Sequence, residues 1–106
     1  GNVVFISQKK GYSANIDFKV RCVYTEDYAL NGLDGLIGFI DGLMAGNADI
    51  EYVYLDGIMR IADCDANSLE PFFAEADKLS KEYGVKFVLT LSVAKENMPG
   101  FVSKYC

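Results

Sequence analysis

The stretch Tyr52-Val-Tyr-Leu-Asp-Gly-Ile58 constrains this chain more than any other. Four apolar residues run into Asp56 and then Gly57, and a continuous apolar run closed by a turn signal reads as a strand buried on both faces, as in a parallel sheet. A carboxylate where such a strand ends lies at the carboxyl edge, which is where open α/β sheets bind their ligands. The remaining segments can be arranged around that strand.

Val3 to Ser7 reads as a short buried strand ending in a hydroxyl, and Gln8 to Gly11 as a polar break. Ser13 to Asp17 reads as a turn or helical segment, although Ile16, Phe18 and Val20 also alternate as a strand would. Val20 to Thr25 reads as a second strand. From Asp27 to Gly46 the apolar residues Leu33, Leu36, Ile37, Ile40, Leu43 and Met44 follow the i, i+3, i+4, i+7 spacing of one helix face. Gly35, Gly38, Gly42 and Gly46 fall together on a second face, nearly opposite. A glycine inside a helix costs about 1 kcal/mol against alanine, so the stripe calls for a reason. Close packing of a neighbouring element would be one. A partner protein or a second copy of the chain on that face would be another. A membrane dimerisation stripe is excluded by Asp34 and Asp41.

Ile58 to Ala62 either extends the central strand past a bulge at Gly57 or begins the next connection. Asp63 to Asn67 is a polar loop. The following helix has a capping box of Asn67 and Glu70, Pro71 in its first turn, an apolar stripe from Leu69 to Tyr83, and Gly84 as its stop. Val85 to Val93 reads as a further strand. A short final helix is expected from Lys95, broken at Met98-Pro-Gly, with Phe101, Val102 and Tyr105 inward. Strands alternating with helices give the expected class: a three-layer, doubly wound α/β domain with a mainly parallel sheet of about four strands and helices on both faces.

At 106 residues the chain is one domain, and its 51% apolar content is enough for a single core. Gly1 looks like a residue left by tag removal; if it is, the single domain is an excised piece of something larger. A net charge of -5 disfavours direct nucleic-acid binding. No apolar run is long enough for a membrane span. The chain has no histidine, which removes Ser-His and Cys-His catalysis and His-ligated metals. Cys22, Cys64 and Cys106 lie far apart with no C-x-x-C pair, so free thiols in a reducing cytoplasm are expected.

Chemistry therefore falls to carboxylates and hydroxyls. Asp56 is placed to hold Mg²⁺ directly or through water; the competing role is to cap the turn that follows. Ser7, Thr90 and Ser92 stand near the carboxyl ends of other strands on the same edge, where a hydroxyl can meet phosphate or a metal-bound water, or satisfy local backbone. Lys9 and Lys10 follow the first strand and are placed either to meet an anion or to stay solvated. Asp63-x-Asp65-x-Asn67 resembles the opening of a calcium loop, but Ser68 replaces the glycine and Ala74 the bidentate glutamate, so a helix-capping loop is expected there.

Val4 to Ser7, Tyr52 to Asp56, and Ser68 to Ser92 together resemble RecA-like ATPases: the strand after the P-loop helix, the Walker B strand, and the helix and strand beyond it. The resemblance implies a nucleotide-binding domain for ATP and Mg²⁺, with Asp56 as the acid on the Mg²⁺ side and Ser92 sensing the γ-phosphate. No G-x-x-x-x-G-K-[ST] occurs in the chain. The implied domain is therefore not catalytic in isolation, its P-loop having been upstream or lost in evolution. The chain is also similar to response-regulator receivers, which place a phosphorylatable aspartate after the third strand and a hydroxyl after the fourth, as Asp56 and Thr90 are placed. Receivers carry an acidic pair after the first strand, where this chain has Ser7-Gln8-Lys9, so a degenerate, non-catalytic regulatory or interaction module is the alternative expectation.

Overall fold

In a computed structural model, residues 2–9, 21–91 and 95–102 are described. Four strands, β1 (Asn2–Ser7), β2 (Arg21–Tyr24), β3 (Ile50–Asp56) and β4 (Lys86–Leu89), form one sheet in the order β2-β1-β3-β4. Every neighbouring pair is parallel. The chain steps from β1 to β2 on one side, then returns past β1 to β3 and on to β4. Winding thus reverses direction at β1, the mark of a doubly wound sheet. A four-strand, all-parallel sheet with helices is consistent with a three-layer α/β arrangement; the connection from β1 to β2 lies largely outside the described residues. The α/β class expected from the sequence is the one the chain adopts.

Helix α1 (Gly32–Gly46) connects β2 to β3; α2 (Ile58–Ala62) and α3 (Glu70–Tyr83) connect β3 to β4. Both connections run the same way across the sheet, and α1 and α3 pack against each other. Leu36, Ile40 and Met44 of α1 and Phe72, Phe73 and Leu79 of α3 meet Val4, Ile6, Val53 and Leu55 of the sheet in one buried core. Phe72 is buried and sets its ring edge-on to Phe87 at 6.4 Å. Phe101 and Val102 close on the same core, with Phe101 edge-on to Phe73 at 5.5 Å.

The central strand is drier on one side than on the other. Val53 and Leu55 are 0% and 1% exposed, whereas Tyr52 and Tyr54, which point to the opposite face by the strand's period of two, are half-buried. Their rings lie 6.1 Å apart, and the Lys86 ammonium sits 5.7 Å from the Tyr52 ring centre.

Several local readings are refined. The first long helix begins at Gly32, because Thr25–Asp27 forms a 3₁₀ turn and the chain runs extended at Asn31. Ile58 to Ala62 is a short helix, and Gly57 is its left-handed start rather than a bulge. The capping box assigned to Asn67 and Glu70 is displaced: Asp65 does the capping, accepting from the Ser68 N–H at 3.1 Å and the Ser68 hydroxyl at 2.9 Å. Asp65 thus opens a 3₁₀ turn, Ala66–Leu69, that feeds α3 with Pro71 in its first turn. Gly84 ends α3 at φ 75° as expected. The last strand stops at Leu89 rather than Val93.

The glycine stripe of α1 is not a site of close packing. Among the described residues, a methyl group at Gly38, Gly42 or Gly46 would meet nothing within 4 Å, and at Gly35 only Leu30, at ordinary contact distance. The expected segment Ser13 to Asp17, together with Lys10, Ser92, Tyr105 and Cys106, lies outside the described residues.

Candidate functional site

Because winding reverses at β1, the carboxyl ends of β1 and β3 flank the point from which connections leave in opposite directions, and a crevice at such a point is where doubly wound sheets take ligands. The register pairs Ser7 with Asp56 there. Tyr, Val and Leu side chains commit Tyr52–Leu55 to the sheet, and Asp56 is the residue that ends that apolar run.

Asp56 is half-buried and does not stand alone. The Thr90 hydroxyl donates to its Oδ1 at 3.2 Å and accepts from the Gly57 N–H at 2.6 Å. The backbone binds the same two ends together: the Thr90 N–H donates to the Leu55 carbonyl at 3.1 Å and the Ile58 N–H to the Thr90 carbonyl at 3.4 Å. One hydroxyl therefore orients the carboxylate and satisfies the first amide after the strand. The bond to the Gly57 amide is the local backbone role expected of Thr90, and the bond to Asp56 takes up the Oδ1 oxygen of that carboxylate.

Gly57 makes the sharp exit possible. Its φ of 71° and ψ of 54° lie in the left-handed region that glycine occupies freely. Its carbonyl accepts from the Arg60 and Ile61 N–H groups at 2.9 and 3.1 Å, starting α2. The Arg60 guanidinium folds back over it so closely that a methyl group at Gly57 would lie 2.5 Å from a guanidinium nitrogen. Sequence reading passed over Arg60; the signal was its position three residues after an Asp-Gly turn, which lets a long side chain reach back over the turn. A hollow of about 450 Å³ opens beside this corner, lined by Gly57, Met59, Arg60, Asp63, Cys64 and Asp65. Burial, followed by the charges of Asp65 and Asp63, pushes the Cys64 thiol up from its ordinary value.

The remaining candidates divide. Ser7 is fully buried and donates its hydroxyl to the Lys9 carbonyl at 3.1 Å, so it closes the turn after β1. Ser92 lies outside the described residues. Asp63 and Asp65 do not form a calcium loop: Asp65 is spent on Ser68, and Asp63 ends α2 at φ 52°.

Among the described residues no three carboxylate or thiol groups gather into a metal cage. A single carboxylate with a neighbouring hydroxyl does fit Mg²⁺, which is usually held through one or two carboxylates, with water and substrate phosphate filling its other positions. Asp56 would supply that carboxylate, and the chemistry the ion brings is charge neutralisation at phosphate oxygens. No helix is long and apolar enough to cross a membrane among the described residues. Set against known proteins, the chain matches no family model, no curated protein and no solved structure.

Proposed function

We propose that this chain is a nucleotide-handling α/β domain, RecA-like in type, in which Asp56 is the acid on the Mg²⁺ side of a phosphate site at the carboxyl edge of the sheet, and that it does not turn over ATP by itself. The observation that carries the reading is the Thr90–Asp56 hydrogen bond of 3.2 Å, made where winding reverses and tied to the Gly57 amide. A carboxylate held from behind by a hydroxyl, with one oxygen left at the edge, is arranged to keep a water-bound Mg²⁺ in a fixed place. The amides and lysine that wrap phosphates in P-loop proteins are absent from the 106 residues, so they have to come from an upstream segment for ATP to be held.

The test is thermal unfolding with and without MgATP, on this chain and on one extended upstream. A stabilisation in the extended chain that is lost in Asp56→Asn supports the reading. No response in either chain, or a response that Asp56→Asn leaves intact, refutes it.

A second reading, a non-catalytic interaction or degenerate receiver-like module, is favoured by two observations. The strand order β2-β1-β3-β4 follows the receiver order as far as it extends. On the glycine face at Gly35, Gly38 and Gly42, the last two are left open by the described residues while Gly35 lies against Leu30, which suits a homo-oligomer or a protein partner. Light scattering on the native chain and on Gly42→Leu tests it: an assembly lost with the added bulk supports it, and one insensitive to it removes that face.

A further inference from the structure

We propose that two copies of this chain join along the outer edge of β4, as antiparallel strands about a twofold axis at Val88. Strand β4 ends the sheet, with β3 on one side and no strand on the other among the described residues. The Thr90 N–H donates to the Leu55 carbonyl and the Thr90 carbonyl accepts from the Ile58 N–H, so the backbone groups of Thr90 face β3. The N–H and C=O of one residue leave a strand on the same side, and the side alternates along the strand. Those of Val88 therefore face β3 as well, and those of Phe87 and Leu89 point outward. An edge of that kind is a template for another strand.

The register follows from the pleat. Opposed residues of an antiparallel pair show their side chains on the same face, so the axis has to pass through a residue rather than between two. An axis at Val88 is the one that pairs Phe87 with Leu89, the two outward residues of β4 itself. Each copy's Phe87 then exchanges both hydrogen bonds with Leu89 of the other. Val88 meets its counterpart in the closer, non-hydrogen-bonded position. Its side chain is 41% exposed, and this contact covers it. On the helix face Phe87 lines a hollow of about 250 Å³ with Phe73, Ala76, Asp77 and Ser80, and Leu89 of the second copy arrives beside it.

Charge complementarity selects a second copy over an unrelated strand. A lysine on a sheet edge ordinarily discourages pairing, and Lys86 stands on this edge. It is exposed, with its ammonium 5.7 Å from the Tyr52 ring centre and in no ion pair among the described residues. About the Val88 axis, Lys86 falls opposite Thr90 of the second copy. Thr90 shares a face with Asp56 and is bonded to it at 3.2 Å. Asp56 of the second copy is thus two strand spacings from Lys86, about 10 Å between Cα atoms, a gap that the two side chains span together. Symmetry repeats the pair, so the charge that deters other strands attracts this one. The contact is small, at the weak end of protein interfaces. It is distinct from the glycine face of α1 and does not depend on the nucleotide reading.

Sedimentation velocity between about 10 µM and about 1 mM should show a monomer–dimer equilibrium with its midpoint in that range. Val88→Asp sets two carboxylates face to face on the axis and should weaken the dimer about tenfold or more. Lys86→Glu should do the same, and circular dichroism should stay native for both, since both side chains are exposed. Gly42→Leu should leave the dimer intact. Cysteine reads the register. In a chain carrying Cys22→Ser, Cys64→Ser and Cys106→Ser, Val88→Cys should form an intermolecular disulfide under mild oxidation, because opposed residues in that position hold their Cα atoms about 4.5 Å apart. Lys86→Cys in the same background should not. A chain that stays monomeric at the highest concentration would overturn the inference, whether or not the edge takes a strand from some other protein. So would a dimer indifferent to Val88→Asp, or one in which Lys86→Cys cross-links as readily as Val88→Cys.

Discussion

Replacing Thr90 with valine tests the corner at the end of β3 directly, because valine keeps the shape of the side chain and removes only the hydroxyl. Two hydrogen bonds disappear: the 2.6 Å bond from the Gly57 N–H and the 3.2 Å bond to Asp56. They are not equivalent. Gly57 is buried, so its amide loses an acceptor where water reaches it poorly, at about 1–3 kcal/mol. Asp56 is half-buried and Thr90 exposed, so water replaces most of what the carboxylate loses. The sum is about 2 kcal/mol, a melting temperature lower by about 8 °C for a domain of this size. Urea unfolding followed by circular dichroism, with the native chain, Thr90→Val and Thr90→Ser in parallel, reads it out. Serine restores the hydroxyl and should recover most of the loss. The reasoning fails if Thr90→Val unfolds within about 0.5 kcal/mol of the native chain, or if Thr90→Ser is as damaged as valine; in either case the hydroxyl does not hold the corner.

Alanine at Gly42 meets nothing within 4 Å among the described residues and should raise helix stability by about 0.5–1 kcal/mol, with Gly38→Ala adding a similar amount; a destabilisation in either, seen in urea melts, would mean that something packs on that face. Gly57→Ala should cost about 1–2 kcal/mol through its left-handed backbone, and Arg60→Ala in the same chain should not recover it, since the guanidinium is the end of a flexible side chain that can swing aside. Cys64, with its thiol pushed up by burial and by Asp65 and Asp63, should react with iodoacetamide at pH 8 several-fold more slowly than a free thiol such as glutathione, and Asp65→Asn should speed it, as followed by mass of the modified peptide.

The helices and strands were legible where a single period ran long enough to leave one face. Leu33 to Met44 announced α1 through its spacing, and Gly84 announced the end of α3 because only glycine enters the left-handed region without strain. Boundaries were less legible where short polar residues compete to cap. Asn67 and Asp65 both carry side-chain acceptors near the start of α3, and which one captures Ser68 depends on a 3₁₀ turn that no periodicity records. Thr90 illustrates the same point at the site. Its place at a strand's end was visible, but its bond to a residue 34 positions earlier exists only because β3 and β4 lie side by side.

By itself, the order of residues determined the parallel α/β class and the position of Asp56 at a strand's end, because alternation of buried strands with amphipathic helices leaves few other ways to bury the apolar residues. Tertiary structure alone decided the rest. Strand order put Ser7 beside Asp56 at the point where winding reverses, and helix packing turned Gly38, Gly42 and Gly46 outward. Those contacts join segments far apart in the chain, and the energy that selects them comes from burying one shared core rather than from any local pattern.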